Sequence, residues 1–137
     1  MQTSAALNQY KKMTTNVAAE TADSHQLIQM LLDGAVERIN SAKYFLVKKD
    51  IPNKGESIGK AISIIDGLKV SLDMEKGGEL ATNLESLYDY MQRQLLFANL
   101  NNKVENLDEV ISLINEIRAG WAAIPQDIRQ SHKPKPE

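Results

Sequence analysis

The run Asp73–Met91, DMEKGGELATNLESLYDYM, decides how this chain folds. It sets a Gly-Gly pair between two long stretches that carry leucines, isoleucines and alanines at helical spacing. A Gly-Gly with no strand before it reads as a turn, not a phosphate cradle. Gly77 is placed to be the left-handed residue that ends the preceding helix. The next helix then starts near Gly78 or Glu79 and lines its main face with Leu80, Leu84, Leu87, Tyr88, Met91, Leu95 and Ala98. Leu96, Phe97 and Leu100 add apolar surface to its last turns.

Before the turn, the spacing predicts a helix from about Pro52 or Asn53 to Lys76. Its apolar positions form two lines, Ile58, Ile62, Ile65 and Leu72, and Ala61, Ile64 and Leu68. Two lines exceed one narrow stripe, so this helix is expected to bury two sides. Gly59 and Gly67 lie within it, each costing about 1 kcal/mol of propensity relative to Ala. Close approach of a neighbouring helix is the expected reason. Upstream, Asp23 can cap a helix whose stripe runs Ile28, Leu31, Leu32, Ala35, Ile39, Ala42 and Leu46, with Gln26 completing a capping box. Leu27 and Phe45 widen that stripe. Lys48 and Lys49 suit its C-terminal end, and Pro52 prevents its continuation. After the turn NLNNKVEN, a last helix is predicted over about Val104 to Ala123, with Pro125 as its stop.

Residues 5–13 suit a short helix, and 14–23 a connector. The organisation read from the chain is therefore an N-terminal segment over 1–22, a helical bundle over 23–124 and a polar, disordered tail over 125–137. Short connections make neighbouring helices antiparallel. The fold class is all-α, an antiparallel up-down four-helix bundle with a short extra N-terminal helix.

Composition narrows the function. The 137 residues suit one domain, and hydrophobic residues make up 42% of them against 5% aromatics, so the core is aliphatic. The net charge of −2 offers no broad attraction to nucleic acid or acidic membranes. No cysteine is present, no apolar run reaches the length of a membrane span, and the N-terminus lacks a signal-peptide pattern. The expectation is a soluble, intracellular protein with no direct membrane insertion.

Catalytic patterns are missing. A di-iron bundle needs Glu-x-x-His pairs, and neither His25 nor His132 stands in one. GESIGKA at 55–61 is one spacer short of a phosphate-binding loop and has Ala61 where Ser or Thr belongs. No histidine is placed to serve a Ser or Thr nucleophile. Glu85 and Asp89 are like charges four apart and read as solvated surface or a contact to a basic partner. The expectation is no enzyme, no metal and no cofactor. What remains is apolar surface beyond the needs of a core. Tyr88 falls with Leu84, Met91 and Leu95, while Tyr90 falls on another side and suits an outward role. Met30, Met74 and Met91 suit either an adaptable surface or gap-filling. Pattern alone leaves core packing and a helix-binding groove both open.

Three segments carry a resemblance: DSHQLIQMLLDGAVERINSAKYFL (23–46), GESIGKAISIIDGLKVSLDMEKGGELATNLESLYDYMQRQLLFANL (55–100) and LDEVISLINEIRAGW (107–121). Together they closely resemble the FliS family of flagellin-specific export chaperones, over about residues 7–121. The resemblance implies an antiparallel helical bundle that is neither an enzyme nor in need of a cofactor. It implies cytoplasmic binding of the disordered C-terminal region of flagellin, prevention of early polymerisation, and delivery to the flagellar type III export gate. Leu7 and Tyr10 match positions that contact the gate component FlhA in the family, and their segment is a candidate lid over the flagellin groove. Family grooves lie along the three helices that follow that segment. The apolar pattern there nominates Leu27, Ile28, Leu31, Ile58, Ile62, Ile65, Leu84, Tyr88 and Met91 as groove candidates. Asp23-Ser24 stands where many relatives have Ser-Pro, which bears only on how rigidly the helix begins. The other reading is a regulatory adaptor bundle that binds another flagellar protein, such as an anti-sigma factor.

Overall fold

A computed structural model describes residues 24–124, which form four helices: α1 (Ser24–Val47), α2 (Ile51–Val70), α3 (Met74–Asn101) and α4 (Val104–Ala122). The Asp23 cap, the predicted N-terminal helix with Leu7 and Tyr10, and the tail lie outside these residues. Each helix packs on its two neighbours in a closed ring, with α1 and α2 the most extensively packed pair. Because the turns are three residues or shorter, the helices run up and down, as the spacing predicts.

The turns have local causes. Lys49 takes a left-handed conformation (φ 60°) and lets the Asp50 amide donate back to the Phe45 carbonyl at 2.8 Å. Asp50 then caps α2 by accepting from the Asn53 amide, and Pro52 stands in the first turn, where its missing N–H costs nothing. At the other end of α3, Asn102 (φ 53°) is the left-handed cap, a role its short amide side chain tolerates.

The Gly-Gly region departs from expectation. Helix α2 stops at Val70, not Lys76, with the Ser71 hydroxyl donating to the Leu68 carbonyl. Asp73 supplies the reason, since its carboxylate accepts from the amides of Glu75 and Lys76 and starts a new helical turn. Gly77 is therefore helical, and Gly78 carries the left-handed angle (φ 51°, ψ −129°), kinking α3 one turn after its start. A Cβ on Gly77 would lie 2.6 Å from that of Ala81, so the kink closes too tightly for a side chain there. The last helix ends at Ala122, one residue short of the predicted Ala123.

The core joins Leu31, Leu32 and Ile39 of α1 to Ile58, Ile65 and Leu68 of α2, Met91 and Leu95 of α3, and Leu107, Val110 and Ile114 of α4. Each such side chain contributes about 1.5–3 kcal/mol of apolar burial. Small residues, Gly34, Ala35 and Ala42 on α1 and Ala61 and Gly67 on α2, are buried and admit close approach. Gly59 does not follow this pattern: it is exposed, and a Cβ there would meet nothing within 4 Å. Leu80, predicted on the inner face, is 67% exposed, because it precedes the first buried turn of α3 after the kink.

Polar stitches fix the seams. Along α1–α4, the Trp121 indole donates to the His25 carbonyl at 2.9 Å while His25 Nε2 donates to the Trp121 carbonyl at 2.7 Å. Their rings stack at 4.9 Å. Asp33 pairs with Arg118, and Lys43 with Asp108, further along the same seam. Along α3–α4, the Tyr90 hydroxyl donates to Glu109 and Asn106 to Gln94.

Candidate functional site: the α2–α3 seam

Three polar ties cross the seam between α2 and α3. At the end where α2 begins, Lys54 reaches across and Nζ donates to the Asn99 carbonyl (2.8 Å) and to Asn102 Oδ1 (2.6 Å). Lys54 is buried, its stem covered by the bundle and its ammonium set at the carbonyl end of α3, where positive charge is favoured. Halfway along, Gln92 donates to the Ile62 carbonyl and to Asp66, and one turn further Asp89 pairs with Lys69. Asp89 thus answers a basic residue of its own chain.

These tie points set the antiparallel register and place Gly59 level with Leu96. Around the Lys54 tie, the outer edge of the seam is apolar and exposed among the described residues. Ile51 is 48% exposed on α2, and Leu96 and Leu100 are 51% and 81% exposed on α3. Phe97 extends the patch toward α4 at 48%. Ile51, Gly55, Gly59 and Ile62 recur every three or four residues and form one side of α2. A Cβ on Gly55 would touch only the Asn99 side chain, at 3.8 Å. The result is a shallow trough with aliphatic walls and bare backbone on one shoulder.

The groove candidates nominated from the sequence divide in two. Leu31, Ile58, Ile65, Tyr88 and Met91 are in the core, and Leu27, Ile28, Ile62 and Leu84 are half-buried at its margin. Tyr88 is only 3% exposed, and burial pushes its phenol up to about 12. Tyr90 stands nearer solvent with its hydroxyl bonded to Glu109, which raises its pKa, chiefly through that hydrogen bond. The trough residues Ile51, Gly55, Leu96 and Leu100 were not among the nominated lining. The apolar surplus in the last turns of α3 and the unexplained glycine in α2 were the signals that could have found them.

Among the described residues no group of His, Cys, Asp and Glu could hold a metal ion, and no helix is long and apolar enough to cross a membrane. Fold and seam together define a four-helix bundle with an accessible apolar trough. The family profile "Flagellar protein FliS" matches residues 6–128. The chain is 47% identical over 125 residues to the flagellar secretion chaperone FliS of Salmonella typhimurium, covering 90% of this chain and 93% of that one. It is 44% identical to FliSB of Pseudomonas aeruginosa (87% and 94% covered) and 42% identical to FliS of Vibrio cholerae (89% and 90%). Both are flagellar secretion chaperones by name. The chain belongs to the FliS family, a family of chaperones and not of enzymes.

Proposed function

We propose that this protein is a cytoplasmic export chaperone that binds the disordered C-terminal region of flagellin. It keeps that region from polymerising early and brings it to the type III export gate. The observation that carries this reading is the uncovered trough of Ile51, Leu96 and Leu100, together with membership of a secretion-chaperone family. An apolar trough flanked by polar stitches suits an amphipathic helix, which a disordered segment forms as it binds. The ordering cost lowers affinity per unit area, yet a long wrapped segment still binds tightly. Of the half-buried candidates, Ile62 shares the α2 side of this surface, while Leu27, Ile28 and Leu84 lie toward the other end of the bundle and would serve a second part of a long cargo segment. On the family resemblance, Leu7 and Tyr10 would contact FlhA, and their segment is a candidate lid over the cargo groove. Release then needs competition at the gate and no chemistry.

The test mixes the protein with a flagellin C-terminal fragment and follows size exclusion and far-ultraviolet circular dichroism. A stable complex with more helix than the sum of its parts is expected. Absence of both, at concentrations of tens of micromolar, would sink the proposal.

A further inference from the structure

We infer that residues 71–78 form a two-position element: they make either the first turn of α3, as in this structure, or the last turns of a longer α2. The inference is independent of what the protein binds. In the first position the chain turns at 71–73, Asp73 caps α3, and Gly78 takes the left-handed angle. In the second, α2 runs on to Lys76, Gly77 takes the left-handed angle, and α3 starts at Glu79. Each position has its own determinants in the sequence. The Asp73 carboxylate, and Glu75 beside the free amides of a first turn, favour the first. Lys76 at the carbonyl end of α2, with a glycine directly after it, favours the second.

Three observations make both positions accessible. Among residues 71–80 the apolar side chain packed on the core is Leu72, while Met74 and Leu80 are exposed. Leu72 follows the buried Ile65 by two helical turns, so a longer α2 keeps it on the same face and gives up no core contact. Next, the Gly77 amide already donates to the Asp73 carbonyl at 2.7 Å. The same bond closes a helix that ends on a left-handed Gly77, so it survives the exchange. Finally, the two glycines answer different needs. Gly78 is required by the kink alone, through its φ of 51°. Gly77 is required by both positions: in the kink its Cβ would lie 2.6 Å from that of Ala81, and in the longer α2 it is the left-handed residue. What separates the two is chiefly the pair of amide bonds to Asp73, the equivalent of one helix cap. The exchange carries α2 about 9 Å further along its axis, at the end of the bundle where α1 begins and α4 stops.

The experiment compares wild type with Asp73→Ala, Gly78→Ala, Gly77→Ala and the double variant Asp73→Ala/Gly78→Ala. It records thermal midpoints and the Cα chemical shifts of residues 71–73. Asp73→Ala removes the cap and Gly78→Ala forbids the left-handed angle, so each should drive the chain into the longer α2. Each should lower the midpoint by about 4 °C, and residues 71–73 should move to helical shifts in both. Once one substitution has moved the turn, the other has nothing left to remove. The double variant should therefore lose no more than the larger single loss, whereas independent effects would sum to about 8 °C. Gly77→Ala harms both positions and should have the lowest midpoint of the set. Losses that add, shifts at 71–73 that stay as in wild type, or a Gly77→Ala midpoint above that of Gly78→Ala would each overturn the inference and leave 71–73 as a fixed turn. No partner enters the experiment, so its outcome is separate from that of the flagellin test.

Discussion

Lys54→Met isolates the clamp that fastens α2 to the end of α3. The substitution keeps most of the buried stem and removes the ammonium, which donates to the Asn99 carbonyl and to Asn102 Oδ1. Two effects oppose each other. The wild-type charge is costly to desolvate, and methionine avoids that cost. Against it, the variant loses two charge-assisted hydrogen bonds and the favourable placement at a helix C-terminus. It also leaves a last-turn carbonyl of α3 without its partner, a loss of about 1–3 kcal/mol. Both hydrogen bonds are short and the site is covered, so the losses dominate and the expected net destabilisation is about 2 kcal/mol. In urea, with a slope of about 1.5–2 kcal/mol/M for a domain of this size, the midpoint should fall by roughly 1 M. The difference should persist from 0.1 to 1 M salt, since the acceptors are neutral and a covered charge is screened far less than an exposed one. A cycle with Asn102→Gly, which keeps the left-handed backbone and removes the acceptor, should show coupling of about 1 kcal/mol. A Lys54→Met midpoint within error of wild type would refute the clamp. A zero coupling would leave only the Asn99 half of it.

Two further perturbations test the interior and the kink. The Tyr88 phenol stays protonated in the fold up to about 12, against 10.0 in the unfolded chain. Below pH 10 it therefore has no effect on pH dependence. Between those values the unfolded chain sheds the proton first, and stability should fall by about 3 kcal/mol at most, a slope absent from Tyr88→Phe when the two are compared by chemical denaturation. Gly78→Ala forces a side chain into φ 51°, ψ −129°, a region that is essentially glycine's alone. Thermal melts should show it at least 1–3 kcal/mol less stable, roughly, whereas an unchanged midpoint would mean that the kink can relax into continuous helix.

The helices were legible because their apolar spacing is regular and their stops are marked. Lys48, Lys49 and Pro52 bracket the first turn, and Pro125 follows the last helix. The Gly-Gly turn was legible as a break but not in detail. Which glycine turns left-handed depends on the Asp73 carboxylate capturing amides two and three residues on, a choice that propensity does not rank. Leu80 keeps the right phase and is exposed because phase says nothing about where the bundle ends. The trough was harder still. Leu96 and Leu100 were visible as surplus, and Gly59 as an anomaly. Their juxtaposition depends on the register between two helices, and that register is set by Lys54, Gln92 and Lys69, whose polar side chains look like ordinary surface in one dimension. Leu7 and Tyr10 rest on resemblance alone.

The stacked His25–Trp121 pair joins residues 96 positions apart, and the Asp33–Arg118 and Lys43–Asp108 pairs extend the same seam. Every other seam in the ring lies between helices consecutive in the chain and closes a short loop. The α1–α4 seam alone closes the whole bundle, so it carries the largest loop-closure entropy and the longest-range contacts. It is also the one seam that can part without breaking a turn, leaving three hairpins in series. The protein's single tryptophan sits at that closure. Its emission therefore reports when the ring shuts, while far-ultraviolet circular dichroism reports when the helices form. One chain carries an optical marker for the seam that joins its two ends of the bundle.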